Sequence, residues 1–231
     1  LGPGQAERDH MNIVVDAIDF VLSHPGQVLG DVRGHVVLSA AAVAVAVAIA
    51  IPVGAVVGHL HRGSFLAING ANVLRALPTL AIISIGIPLF GLGFGNILVA
   101  LIILGFPLIL TNTYVGVAEV DPGMAEAARG MGMTGWQILT RVELPNAVPL
   151  IMAGVRTATV FIIATAYLAG IAGYPDTLGA VITNPTLPLF QLFAYTVIAV
   201  VLAFLADGVF AVLQRLLTPR GLRLTPAPAA A

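Results

Sequence analysis

Long apolar stretches along this chain alternate with short polar ones. Residues 34–61 and 76–118 contain no Asp, Glu, Lys or Arg. A helix that crosses a bilayer needs about 20 apolar residues. The first stretch therefore predicts a span at about 36–57, and the second, with a few residues ahead of it, predicts two more at about 66–91 and 95–113. GLGFGN at 91–96 supplies the turn between those two, and Pro78 kinks or starts the earlier one. Residues 146–172 and 188–213 predict a fourth and a fifth span, broken only by Arg156 and Asp207. Between them AGYPDTLGAVITNPTLP, rich in Pro and Gly, reads as a loop with one short helix.

Ahead of the spans, MNIVVDAIDFVLSH sets apolar residues along one side and Asp16 and Asp19 on the other. It is too short to cross, so an amphipathic helix in the membrane interface is expected, within an extracytoplasmic segment at 11–33. LGPGQAERDH, residues 1–10, lacks an apolar h-region and resembles a cloning remnant or disordered tail more than a signal peptide. The transmembrane domain is then 34–217, with a tail at 218–231. Arginine counting orients five spans. One side collects Arg62, Arg129, Arg141, Arg215, Arg220 and Arg223, with Arg75 close by. The other has Arg8 and Arg33 against Glu7, Asp9, Asp16, Asp19, Asp31 and Asp176. This places the N-terminus outside and the C-terminus in the cytoplasm.

Composition agrees with a polytopic membrane protein. Charged residues make up 9% and hydrophobic ones 58%, with a mean hydropathy of +1.01. A soluble domain carries about 25% charged residues, too many for this chain to imitate. Cysteine is absent, which removes disulfides, thiolate zinc sites and thiol nucleophiles. A net charge of −1 argues against a nucleic-acid partner.

One polar stretch is out of character. EVDPGMAEAARGMGMTGWQILTRVELP, residues 119–145, holds six charged residues. Asp121 before Pro122 predicts an N-cap with proline at the first helical position. Gly130 and Gly132 permit a sharp elbow, and Thr134 with Gln137 predicts a capping box that opens a second helix. Pro145 is expected to stop that helix. Trp136, Leu139 and Val142 give it an apolar side, directed at the membrane domain or a partner. Two short helices also suggest a DNA-binding helix-turn-helix, but four acids against two arginines have the wrong sign for phosphate.

The order Glu126-Ala127-Ala128, three residues, Gly132, nine residues, Val142-x-Leu144-Pro145 resembles the EAA loop of ABC importer permeases, with Val142 in place of Ile. RALPTLA at 75–81, NTYVGV at 112–117 and AGVRTATV at 153–160 look like the osmoprotectant branch of that family. The resemblance implies an all-α, type I importer permease fold with a cytoplasmic coupling-helix loop. It implies transport of glycine betaine, choline, carnitine or a similar quaternary amine across the bacterial inner membrane. Glu126, Ala127, Ala128 and Gly132 would form the docking surface for a cytoplasmic ABC ATPase dimer, with Leu144 and Pro145 anchoring the return. A second permease, identical or paralogous, and an extracytoplasmic substrate-binding protein would complete the importer. ATP and Mg would sit on the ATPase; this chain has no GxxxxGK[ST] loop and needs no cofactor of its own. AGYPDTLG, where the branch has a glycine-rich GAGGLG, is the one departure and falls at the expected outer gate. An importer of another small substrate such as an amino acid is the alternative within the class. An ion-coupled secondary transporter is the alternative outside it, but predicted spans one to four contain no carboxylate to couple an ion.

Arg156, inside the fourth span, reads as snorkelling or internally paired rather than lining a pathway, and Arg75 is treated alike. Asn112 either lines the pathway or, by preference, bonds a neighbouring helix. His59 and His61 fall in a loop, HLHRG, with no carboxylate or third ligand nearby in sequence, which argues against a metal site.

Overall fold

The computed structural model describes the backbone of residues 3–61, 64–184 and 186–218, and no strand occurs among them. Side chains of residues 3–11 are outside the description. So are Arg62 and the tail from 219 onward with Arg220 and Arg223, on which the arginine bias partly relies.

Among the described residues nine α-helices succeed one another: α1 Pro3–Ser23, α2 Pro25–Leu60, α3 Ser64–Ala76, α4 Thr79–Phe90, α5 Phe94–Ala118, α6 Pro122–Gly130, α7 Gly135–Ile138, α8 Leu144–Ala166 and α9 Leu189–Leu217. A π-turn, Leu139–Glu143, joins α7 to α8, and a 3-10 turn, Tyr167–Gly170, extends α8. Four helical stretches among these residues are long and apolar enough to cross a membrane: Pro25–Leu60, Phe94–Ala118, Gly135–Gly170 and Leu189–Leu217. The region expected as the second span is a bent pair, Ile68–Ala76 and Thr79–Phe90, meeting at 89°. The count reaches five only if that pair is one span. Leu77 and Pro78 make the break, since Pro78 has no N–H to continue a helix and disfavours the helical region at the residue before it.

Several boundaries differ from expectation. Residues 25–33 are not a separate segment but the opening turns of α2, started by Pro25 directly after α1 ends at Ser23. At 36 residues α2 is about 54 Å long, well beyond the ~30 Å hydrocarbon thickness. Helix α1 buries Ala17 and Phe20 while Val14, Val15, Ile18 and Leu22 remain exposed beside Asp16 and Asp19. The 172–188 loop contains a short 3-10 helix, Leu178–Thr183, as expected.

The chain divides into two compact units, one of residues 1–43, 77–102 and 160–205, the other of 44–76, 103–159 and 206–231. In the first, Phe20, Leu178, Val181 and Tyr195 anchor the core. Polar residues recur every fourth position along α2 there: Gln27, Asp31, His35 and Ser39. Tyr195 donates its hydroxyl to Asp31 Oδ2 at 2.6 Å and receives Gln27 Nε2 at 3.3 Å. His35, fully buried, bonds through Nε2 to the Ile163 carbonyl at 3.0 Å. Of the four, only His35 and Ser39 are buried; the Tyr195 and Ile163 contacts fix the rotation of α2 in this unit, while Ser39 Oγ and His35 Nδ1 find no partner among the described residues.

In the second unit the core joins α2, α5 and α8 through Ala46, Ala50, Ile109, Leu110, Ile151 and Val155. Without a hydrophobic drive between helices in lipid, close backbone approach supplies the attraction. Gly54 and Gly58, four apart on α2, lie against Leu110, Thr113, Tyr114 and Val117 of α5. A Cβ at Gly58 would stand 2.8 Å from Val117 Cβ and 3.0 Å from the Tyr114 carbonyl oxygen. On the opposite flank Asn112 of α5 fills the space left by Gly154 of α8.

Candidate coupling site

The polar stretch at 119–145 folds as a cap-to-cap pair of short helices within the second unit. Asp121 Oδ1 accepts the Gly123 N–H at 2.9 Å, and Pro122 takes the first helical position of α6. The Met131 N–H donates to Ala127 O, and Gly132 turns the chain at φ +83°, a left-handed conformation that favours glycine. Gly130 is not part of the elbow; it is the last helical residue of α6. Thr134 and Gln137 close the capping box in both directions, at 2.8 and 3.4 Å.

Pro145 does not end the second helix. The Leu144 N–H bonds to Leu139 O, five residues back, so one extra residue is looped into the turn just ahead of the proline. The wider turn relieves the clash that a proline ring makes with the carbonyl four residues earlier. The helix therefore continues from Gly135 to Gly170 without a break.

Glu126, Ala127 and Gly132 lie at the surface of this segment. Ala128 does not: at 1% exposure it packs inward. Trp136 and Leu139 likewise part company, with Leu139 buried in the core and Trp136 at 69% exposure. Met131, at 72%, and Met124 add apolar surface on the same segment. Methionine and tryptophan left in water are costly for a free surface and suited to an adaptable contact. Leu144 packs against the core as the chain returns.

Underneath lies a contact between residues far apart in sequence. His59, read from sequence as a loop residue without a carboxylate nearby, instead ends α2 and bonds through Nδ1 to Glu143 Oε2 at 2.6 Å. Glu143 is 5% exposed. The Nε2 edge of His59 faces Gly135, whose missing Cβ would lie 3.3 Å away. Only Glu143 itself, an acid set between Val142 and Leu144, hinted at a buried partner.

The three other polar residues are internally satisfied. Arg156 makes a bidentate pair with Asp207 of α9, Nε to Oδ1 and a terminal nitrogen to Oδ2 at 2.6 Å. Arg75 donates to the Pro107 carbonyl at 2.9 Å and to Thr111 Oγ1 at 3.0 Å. Asn112 does not bond a neighbouring helix; its amide returns to Leu108 O of its own helix at 2.8 Å, while its Cβ and Cγ pack on α8 at Gly154.

Comparison with known proteins gives this geometry a setting. Residues 50–220 match the family described as binding-protein-dependent transport system inner membrane component. The glycine betaine/carnitine/choline transport system permease protein OpuCB of Bacillus subtilis (strain 168) is 36% identical over 88% of this chain and 94% of its own length. The choline transport system permease protein OpuBB of the same organism is 36% identical over 89% and 95%. The osmoprotectant import permease protein OsmW of Salmonella typhimurium is 32% identical over 90% and 100%. Among solved structures, the MetNI methionine ABC transporter in inward-facing conformations aligns with a TM-score of 0.72 at 20% identity, covering 83% of this chain and 96% of that one. That likeness concerns the fold alone. A multi-pass helical chain with this match over most of its length belongs to the family of binding-protein-dependent transport system inner membrane components, the permeases of ABC importers.

Proposed function

We propose that this chain forms half of the translocation pathway of an importer for quaternary ammonium osmoprotectants such as glycine betaine, choline or carnitine. The observation that carries the substrate class is the 31–36% identity across nearly the whole chain to permeases named for those compounds. Methionine and amino-acid importers resemble it at 18–20% identity, which supports the fold and says nothing of substrate.

Coupling to the energy source is assigned to residues 119–145. Glu126 and Ala127 lie at the surface beside Met124, Met131 and Trp136, a face on which a cytoplasmic ATPase can seat. ATP and Mg belong to that ATPase. Its closure pushes α6 and α7, and the unbroken helix from Gly135 carries the push onward. A second permease completes the cavity, and an extracytoplasmic binding protein delivers substrate. The N-terminus lies outside and the C-terminus inside, in line with the arginine bias.

The test is uptake of radiolabelled glycine betaine, choline and carnitine at high osmolarity, in cells whose own osmoprotectant uptake is deleted and which carry the whole importer. At least one should accumulate, and Glu126→Arg should abolish accumulation and release the ATPase from the purified complex. Uptake of none of the three, with an amino acid accumulated instead, refutes the substrate class. Normal uptake by Glu126→Arg refutes the docking role.

A further inference from the structure

We propose that His59 and Glu143 form a latch that locks the coupling segment to the end of α2, so that a second membrane helix receives the motion of the docked ATPase. The proposal rests on the coupling role of residues 119–145 given above. It adds two positioning residues, His59 outside the EAA pattern and Glu143 at a position the pattern leaves unspecified.

Three features converge on the imidazole. Its Nδ1 is 2.6 Å from Glu143 Oε2, and its Nε2 edge faces the gap left by Gly135. Gly135 opens α7 and Glu143 closes the π-turn, so a single side chain of α2 touches both ends of the second coupling helix. The π-turn contributes the third feature. Its extra residue rotates the helix on the α7 side by about 100° relative to the helix on the α8 side. Glu143 faces inward while Trp136 faces outward.

A buried carboxylate is a poor choice for stability alone. An apolar pair of similar volume would serve as well or better, whereas a hydrogen-bonded polar pair specifies one register. The residues are 84 positions apart, so the bond exists only when α2 and the segment are correctly seated. With Nδ1 protonated, either the neutral ring or the imidazolium can donate to the carboxylate. The latch therefore depends on a donor at the Nδ1 position rather than on net charge. Asparagine offers an amide nitrogen at nearly that place.

The chain has no cysteine, which makes it suited to spin labelling. Labels on Leu60→Cys and Arg141→Cys, in the complete importer, report the distance between the end of α2 and the coupling segment. The measurement is made without nucleotide and with ATP and vanadate. With His59 present, one narrow distance is expected in both states. His59→Leu should lose the narrow peak, and His59→Asn should restore it. If His59→Leu does not assemble, Glu143→Leu and Glu143→Gln stand in as the disruptive and conservative variants. Equal widths in disruptive and native forms, with the ATPase still bound, overturn the latch. Loss of coupling in Glu126→Arg alongside an intact narrow peak leaves the docking role standing, so the two readings fail separately.

Discussion

Consider Gly58→Ala, which adds one methyl group where α2 meets α5. The new Cβ would stand 2.8 Å from Val117 Cβ, roughly 0.7 Å inside the ~3.5 Å at which carbon–carbon contact becomes favourable. Neither neighbour is the free end of a flexible side chain, so the helices must separate. Overpacking of this kind costs about 1–3 kcal/mol. Alanine also favours helix over glycine by about 0.5–1 kcal/mol, which acts in the opposite direction. Gly208 isolates the packing cost, because a Cβ there meets nothing within 4 Å. The propensity gain is common to Gly58→Ala and Gly208→Ala, so their difference should be about 1–3 kcal/mol. Unfolding of the purified chain in mixed micelles, titrated with SDS, measures each. Gly54→Ala with Gly58→Ala should cost less than the two added, since one displacement of α5 relieves both. If Gly58→Ala and Gly208→Ala agree within about 0.5 kcal/mol, close approach at this seam is not what holds the helices together.

The elbow and the Arg156–Asp207 pair give two further expected outcomes. Gly132→Val places a β-branched residue at φ +83°; it should destabilise the elbow by about 1–3 kcal/mol and uncouple ATP hydrolysis from uptake, and an unchanged ratio of the two in proteoliposomes counts against the elbow. Asp207→Leu leaves Arg156 without its bidentate partner and should lower the yield of folded chain in detergent, while Arg156→Met with Asp207→Leu should recover much of it; a double variant as poor as the single one would show that the pair does more than neutralise itself.

The elements that depend on neighbours in sequence were legible from it. Asp121 with Pro122 and Thr134 with Gln137 read as caps because a cap is a contact across three residues. The long apolar runs read as spans for a similar reason, since lipid selects on composition. Their ends were less legible. Gln27, Asp31 and His35 look like residues that should lie outside a membrane helix, yet α2 includes them, with Gln27 and Asp31 bonded to Tyr195 and one nitrogen of His35 bonded to the Ile163 carbonyl from elsewhere in the chain. The outcome at Pro145 turned on tertiary packing as well: Leu139 and Glu143 are held inward, and the backbone adopts a wider turn instead of breaking. The EAA pattern located the segment but not its faces, so Ala127 and Ala128 were grouped together although only Ala128 is buried. His59 and Glu143 could not be paired by any local rule.

The turn at 139–143 matters mechanically. Within the second unit, residues 135–159 form one continuous helix of about 37 Å that neither Pro145 nor Pro149 breaks. A tilt of about 10° imposed at one end of it would sweep the other through roughly 6 Å. A conventional stop at Pro145 would have made a hinge there and absorbed the stroke.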